Sequence, residues 1–279
     1  MNKPFQWTKS RARLHCVRSV EGASYNWLFL PGGPGLGSES LVGLTDILNL
    51  PGTTWLIDLP GDGSNTTSDD AGHFARWSEA LVEATTALSN VILVAHSSGG
   101  MFALATPALK NILHGLVLMD SAPDSSWQAH FGLYVQAHPL PDSQALQKEY
   151  DEHPSNEALK RLTIACAPYF LTDAGMATSI SLFTSLPYNH VTVDWAAKNF
   201  DQTYKALWVP DNMPVLIFAG DEDHITPLAL FRHAREFQHE NIVIREIQHA
   251  AHFPWIDNAE MIRQLFAEYA ERLKHFTRN

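Results

Sequence analysis

Two adjacent serines, Ser97 and Ser98, stand where a short apolar run, VILVA (91–95), gives way to two glycines and a helical pattern over 101–109. A serine on a strand-to-helix turn has its hydroxyl exposed at the end of the sheet, where it can attack an electrophilic carbon once a base takes its proton. That turn is tight, so the residues two before and two after the nucleophile must be small. For Ser97 they are Ala95 and Gly99; for Ser98 they are His96 and Gly100, and the imidazole would clash. Ser97 is therefore the expected nucleophile. The competing reading of AHSSGG is an ordinary serine–glycine loop, and the strand and helix on either side argue against it.

A weakly nucleophilic hydroxyl needs a histidine and a group to orient that histidine. Two segments offer them: GDEDHITP (220–227), after the apolar run VLIFA, and QHAAHFPW (248–255), after the run 242–247. Both follow strands at their carboxyl ends, where open α/β sheets place their sites. Asp221, Asp223 and, after the run GLVLM, Asp120 compete as the acid; His249 and His252 compete as the base. His96 is assigned to the structure of the turn. Asp221, Asp223, His224, His249 and His252 also carry metal-ligating atoms, but His249-x-x-His252 lies in a proline-bounded loop without an H-E-x-x-H frame, and no cysteine is near. No metal and no cofactor are expected.

The elements that must position these residues alternate short apolar runs with longer helical patterns, which predicts an α/β fold with a mostly parallel sheet. The expected strands are 26–30 (NWLFL), 53–57 (TTWLI), 91–95, 115–119, 215–219 and 242–247. Their apolar residues run on without alternating, which predicts burial on both faces. Helical spacing predicts helices over 38–48, 73–89, 101–109 and 257–275. Between 122 and 213 the rhythm breaks into proline-punctuated helical pieces with no core strand. The division that follows is a core of 1–121 and 214–279 with a helical cap, 122–213, over the carboxyl ends of the strands.

These motifs together resemble those of the α/β-hydrolase superfamily, from about residue 26 to 275 apart from the cap. Members often read G-x-x-D-x-x-x-P at the acid, and Gly220, Asp223 and Pro227 match, which implies Asp223 as the acid. The base often lies in a G-H-F-P-W-like stretch; Ala251-His252-Phe253-Pro254-Trp255 matches with alanine for glycine, which implies His252. The resemblance further implies an oxyanion hole from the backbone N–H groups of Ser98 and of Gly33, with Gly32 beside it. Gly33 belongs to PGGPG (31–35), similar to the superfamily's H-G-G-P-G with Pro31 in place of histidine. Asp58-Leu59-Pro60-Gly61-Asp62-Gly63 is similar to D-x-P-G-H-G with Asp62 for histidine and is read as a structural turn; a phosphate loop would need a following Lys-Ser/Thr.

The implied chemistry is hydrolysis of a small-molecule ester, or of an amide or activated C–C bond, through an acyl-enzyme. The G-G-P-G and H-F-P-W stretches are similar to those of prolyl-iminopeptidase-like members, whose aminopeptidase activity is the alternative. Those members usually carry D-x-R-G-x-G and a tryptophan after the nucleophile, where this chain has Pro60 and Ser98. A non-hydrolytic acyltransferase or ligand-binding member of the fold is a third reading, since fold does not fix chemistry. Cap carboxylates (Glu149, Asp151, Glu152, Asp173, Asp194) are read as solvated surface before a substrate-amine site.

Composition narrows the partners. A net charge of −11 without a basic stripe disfavours nucleic acid and anionic membranes; the small-molecule substrate is what the resemblance implies. Only two cysteines, Cys16 and Cys166, are present, so both are expected as reduced, buried thiols. The first ten residues hold no apolar run of signal-peptide length, and no stretch reaches the roughly 18 apolar residues of a membrane span. A soluble cytoplasmic protein is expected. The sequence carries no signal for oligomeric state.

Overall fold

The computed structural model describes residues 5–20, 22 and 24–276. Eight strands form one sheet: β1 (Phe5–Trp7), β2 (Arg13–Arg18), β3 (Asn26–Leu30), β4 (Thr53–Asp58), β5 (Val91–His96), β6 (Gly115–Met119), β7 (Val215–Gly220) and β8 (Ile242–Ile247). Their order is β1-β2-β4-β3-β5-β6-β7-β8, antiparallel at the β1–β2 and β2–β4 pairs and parallel from β4 to β8. The chain runs from β3 to β4 on one side and then returns past β3 to place β5 on the other. Such a reversal opens a crevice at the carboxyl ends of the two flanking strands. The loops leaving β3 and β5 carry Gly33 and Ser97.

Successive strand residues point to opposite faces, and the core divides accordingly. Leu28, Leu30, Leu93, Ala95, Leu116 and Leu118 pack into one cluster. Trp27, Phe29, Ile92, Val94, Val117 and Met119 pack into the other. Both faces are covered, which is why β5, β6 and β7 are buried at every position. β8 departs from the expected two-sided burial: it closes the sheet edge, and Arg245 is exposed.

The helices of the core are α1 (Val42–Ile47), α2 (Asp70–Phe74), α3 (Trp77–Thr86) and α4 (Ser98–Leu104). Between β6 and β7 lie α5 (Trp127–Ala137), α6 (Pro141–Glu152), α7 (Asn156–Ala165), α8 (Asp173–Ser185) and α9 (His190–Asn199). After β7 come α10 (Ala229–His233), α11 (Pro254–Asp257) and α12 (Ala259–His275). Side chains cap several of them: Ser155 accepts from Ala158 N, Thr172 from Gly175 N and Asn258 from Met261 N.

All four expected helices have different bounds, that over 38–48 dividing into a 3-10 turn, Ser38–Leu41, and α1. The pattern over 73–89 divides into α2, capped by Asp69, and α3, with Ala75 and Arg76 between them. The helix expected from 257 is likewise two pieces, parted at Asn258. α4 starts at Ser98 although glycines are poor helix formers. Gly99 packs so closely on the β3 loop that a Cβ there would run into the carbonyl oxygen of Pro31. Cys16 and Cys166 are unpaired and half-buried, not fully buried. Among the described residues no helix is long and apolar enough to cross a membrane.

Candidate active site

Ser97 is the pivot between β5 and α4. Its φ of 51° and ψ of −125° are strained for a residue with a side chain. Four hydrogen bonds hold the turn: Ser97 N to Met119 O (2.9 Å), Gly100 N to Ser97 O (3.0 Å), Met101 N to Ser97 O (3.3 Å) and Ser121 Oγ to Ser97 O (2.8 Å). The hydroxyl is left facing the end of β8. There His252 Nε2 lies 2.9 Å from Ser97 Oγ, and His252 Nδ1 lies 3.1 Å from Asp223 Oδ2. A carboxylate only accepts, so the Nδ1–H donates to Asp223 and Nε2 is left to accept from the serine.

Asp223 is buried and amply supplied with donors. Oδ1 accepts from Ile225 N (2.9 Å) and Thr226 N (3.2 Å), while Oδ2 accepts from Thr226 Oγ1 (2.9 Å) as well as from the imidazole. Burial works to raise its pKa, but the His252 ring and these donors outweigh burial and hold it below the usual carboxylate range. Asp223 is thus ionised and fixed in orientation.

Of the other candidates, Asp221, His249 and His224 stand apart from this chain. Asp221 is exposed and accepts from Ala250 N at 3.2 Å. His249 is exposed in a left-handed turn (φ 57°), and His224 stacks on Tyr134 with ring centroids 3.9 Å apart. Among the described residues, the metal-ligating atoms that converge are those of Asp120, Asp223 and His252, within 4.8 Å of one another. The Nδ1 of His252 and both oxygens of Asp223 are already engaged in the hydrogen bonds above.

The expected oxyanion donors flank the serine. A Cβ on Gly32 would lie 2.5 Å from the Ser97 Cβ, so only glycine lets the β3 loop pass this close. Neither Gly33 N nor Ser98 N donates to any protein acceptor among the described residues, and both residues line the same cavity as Ser97 and His252. Asp62, read from the sequence as part of a turn, braces this loop: its Oδ1 accepts from Gly35 N (2.9 Å) and Gly37 N (3.2 Å). Burial first, and then the charge of Asp58, push its carboxyl up to about 8.

Sequence reasoning passed over several participants. Thr226 follows Asp223 by three residues, a spacing at which a hydroxyl folds back on a side chain or backbone group. His96 donates Nε2–H to the carbonyl oxygen of His252 at 2.8 Å. The cavity above Ser97, about 260 Å³, is walled on one side by Trp127, Phe131, Leu159, Phe170, Phe183 and Val193 from the segment between β6 and β7. Asp201 stands in the same wall, its carboxyl pushed up to about 6 by burial. The Trp127 Nε1–H is buried without a partner among the described residues. Periodicity could not have found these, because they meet only through tertiary packing.

A twisted, mostly parallel sheet with a strained serine between a central strand and a helix, and an acid and a histidine on later strand ends, defines the class of α/β hydrolases. The chain belongs to that family: the profile described as "Alpha/beta hydrolase family" matches residues 27–264. No curated protein matches the sequence. Among solved structures, the chain is similar to a proline iminopeptidase-related protein from Thermus thermophilus (21% identity, 98% of this chain and 99% of that one, TM-score 0.72). It is similar to an esterase from Exiguobacterium antarcticum (16%, 96% and 98%, TM-score 0.70). It also resembles a haloalkane dehalogenase loop variant from Bradyrhizobium elkanii (16%, 96% and 95%, TM-score 0.68). At these identities the likeness is one of fold, and the names span different bonds.

Proposed function

We propose that the protein is a serine hydrolase that cleaves a small-molecule carboxylic ester, with Ser97 as nucleophile, His252 as general base and Asp223 as the orienting acid. The observation that carries this reading is the unbroken chain Ser97 Oγ–His252 Nε2 (2.9 Å) and His252 Nδ1–Asp223 Oδ2 (3.1 Å). In the reaction, Ser97 Oγ attacks the carbonyl carbon as His252 takes its proton. The oxygen, now negative, is met by Gly33 N–H and Ser98 N–H; one such donor is typically worth roughly 2.7–4 kcal/mol. His252 returns the proton to the departing alcohol, and water then releases the acid by the same steps.

The helices of 122–213 serve as a cap and set the substrate. A cavity of about 260 Å³ lies just below the usual range for ligand pockets, roughly 300–1,000 Å³. That size, with mainly aromatic and aliphatic walls, favours short, uncharged acyl or alcohol groups. The two unpaired cysteines suit a reducing, cytoplasmic setting. A second reading, an aminopeptidase-like activity on a substrate with a free amine, is favoured by one feature, the Asp201 carboxylate in the cavity wall.

The test is labelling with a fluorophosphonate and mapping of the adduct by peptide mass spectrometry, followed by turnover of short-chain aryl esters. Label on Ser97, lost in Ser97→Ala and His252→Ala, is the expected result. Ester turnover should fall about 10⁴–10⁶-fold in either variant. Ester turnover that survives Ser97→Ala would sink the proposal, as would labelling at Ser98.

A further inference from the structure

Behind the acid lies a second buried carboxyl that the mechanism above does not use. Asp120 follows β6, is wholly buried, and adopts a left-handed backbone (φ 45°). Asp120 N donates to Phe218 O (2.9 Å), and Asp120 Oδ1 accepts from Gly220 N (3.0 Å), tying the end of β6 to β7. Its other oxygen, Oδ2, is buried and receives no donor among the described residues. An oxygen left bare in this way costs the full desolvation of an ionised carboxylate.

Beside this carboxyl stands that of Asp223: ligand atoms of Asp120, Asp223 and His252 all lie within 4.8 Å of one another, and the two carboxyl side chains interact directly. Asp257 adds a further negative charge nearby. Two buried carboxyls at this range cannot both ionise. Asp223 has four donors, two backbone N–H groups, the Thr226 hydroxyl and His252, whereas Asp120 has one. The proton therefore belongs to Asp120, in agreement with the direction in which burial and Asp223 push its pKa, well above the usual carboxylate range.

We infer that Asp120 is a neutral carboxylic acid whose Oδ2–H donates to Asp223, making it a positioning residue for the acid of the triad. The inference rests on the hydrolase reading for its consequence, and on the geometry alone for its protonation. With its proton on Asp120, the pair carries a single negative charge, localised on Asp223 beside His252 Nδ1. The added donor satisfies the bare oxygen and fixes Asp223 from β6, as the Thr226 hydroxyl fixes it from its own loop.

The experiment joins a spectrum to kinetics. Infrared difference spectra of the wild type minus Asp120→Asn at pH 7 should contain a protonated-carboxyl C=O band. Asn can still donate an N–H to Asp223, so Asp120→Asn should keep kcat within a few-fold of wild type. Asp120→Leu has no donor and should lose about 10–100-fold in kcat, the scale of a hydrogen bond to a charged group, with KM little changed. A folded Asp120→Leu protein with wild-type kcat would overturn the inference. So would the absence of the band, even if Asp120→Leu failed to fold. If the wild type proves to have no esterase activity while the band is present, the functional reading fails and the protonation of Asp120 stands.

Discussion

The carbonyl oxygen of His252 accepts a hydrogen bond from His96 Nε2 at 2.8 Å, so the residue preceding the serine holds the backbone of the residue proposed as its base. The His96 ring is enclosed by His252, Phe253 and Trp255, with centroid separations of 4.9, 5.1 and 5.0 Å. Burial first, and then the neighbouring His252, lower its pKa to about 3 from 6.5. His96 is therefore neutral in the fold and must gain a proton on unfolding in acid. Its contribution to stability is whole above pH 6.5 and is lost progressively as the pH falls from there toward 3, at up to about 1.4 kcal/mol per pH unit. In His96→Phe the ring packing is kept and this acid sensitivity is removed. Thermal unfolding followed from pH 7 to 4 should fall less steeply for the variant than for wild type, while kcat drops about tenfold from the loosened base, the worth of one hydrogen bond.

Thr226 gives a simpler test of how Asp223 is held. Its hydroxyl donates to Asp223 Oδ2 at 2.9 Å, and valine has nearly its shape without the donor. Thr226→Val should lower kcat about tenfold, at the lower end of what a hydrogen bond to a charged group is worth, and Thr226→Ser should restore most of it. Equal rates for all three proteins would mean that the backbone donors of Ile225 and Thr226 suffice to orient the acid.

Much of the fold is legible in the sequence. The runs NWLFL, VILVA, GLVLM and VLIFA read as strands because both sheet faces are covered, so neither face imposes an alternating pattern. Ser97 could be chosen over Ser98 because the turn excludes a residue the size of histidine two positions before the nucleophile. β1 and β2 were not legible: Phe5–Trp7 is exposed throughout, and RLHCVR mixes polar and apolar residues on a strand near the sheet edge. The partnership of Asp120 with Asp223 was also invisible. It joins the ends of neighbouring strands, whereas the sequence offered the two as rival acids. The role of Asp62 was hidden for the same reason, since the glycines it braces lie on a different strand loop.

Asp62 makes a second pH prediction, of opposite sign to that of His96. Its carboxyl is raised from 3.8 to about 8, so the folded protein holds a proton there that the unfolded chain releases. The stability this provides is complete below pH 3.8 and is lost as the pH rises through about 8, again at up to about 1.4 kcal/mol per unit. Asp62→Asn keeps an oxygen for Gly35 N and Gly37 N but cannot ionise. Urea unfolding at pH 5, 7 and 9 should show wild type weakening relative to Asp62→Asn as the pH rises. Asp62→Leu should release the loop that carries Gly33 and lower kcat in the same assays.

Asp201 decides between the two substrate readings, and the decision can be made with a ratio. Asp201 lines a mainly apolar cavity and its carboxyl is raised to about 6 by burial, so it changes charge within the working range of most hydrolases. Rates alone would mix this titration with that of the catalytic groups. The ratio of kcat/KM for an amine-bearing ester to that for a neutral ester of equal size cancels the steps common to both. If the carboxylate meets the substrate amine, the ratio should fall about tenfold between pH 7 and 5, as Asp201 takes up its proton. Tenfold is about 1.4 kcal/mol, well below the roughly 4 kcal/mol of a bare ion pair at 4 Å and an effective dielectric of about 20, which leaves room for desolvation. Asp201→Asn should give the low ratio at every pH. If instead the ratio is flat in wild type and Asp201→Asn improves the neutral ester, the carboxylate is a cost to apolar binding. The protein is then an esterase for short uncharged groups, and the aminopeptidase reading is lost.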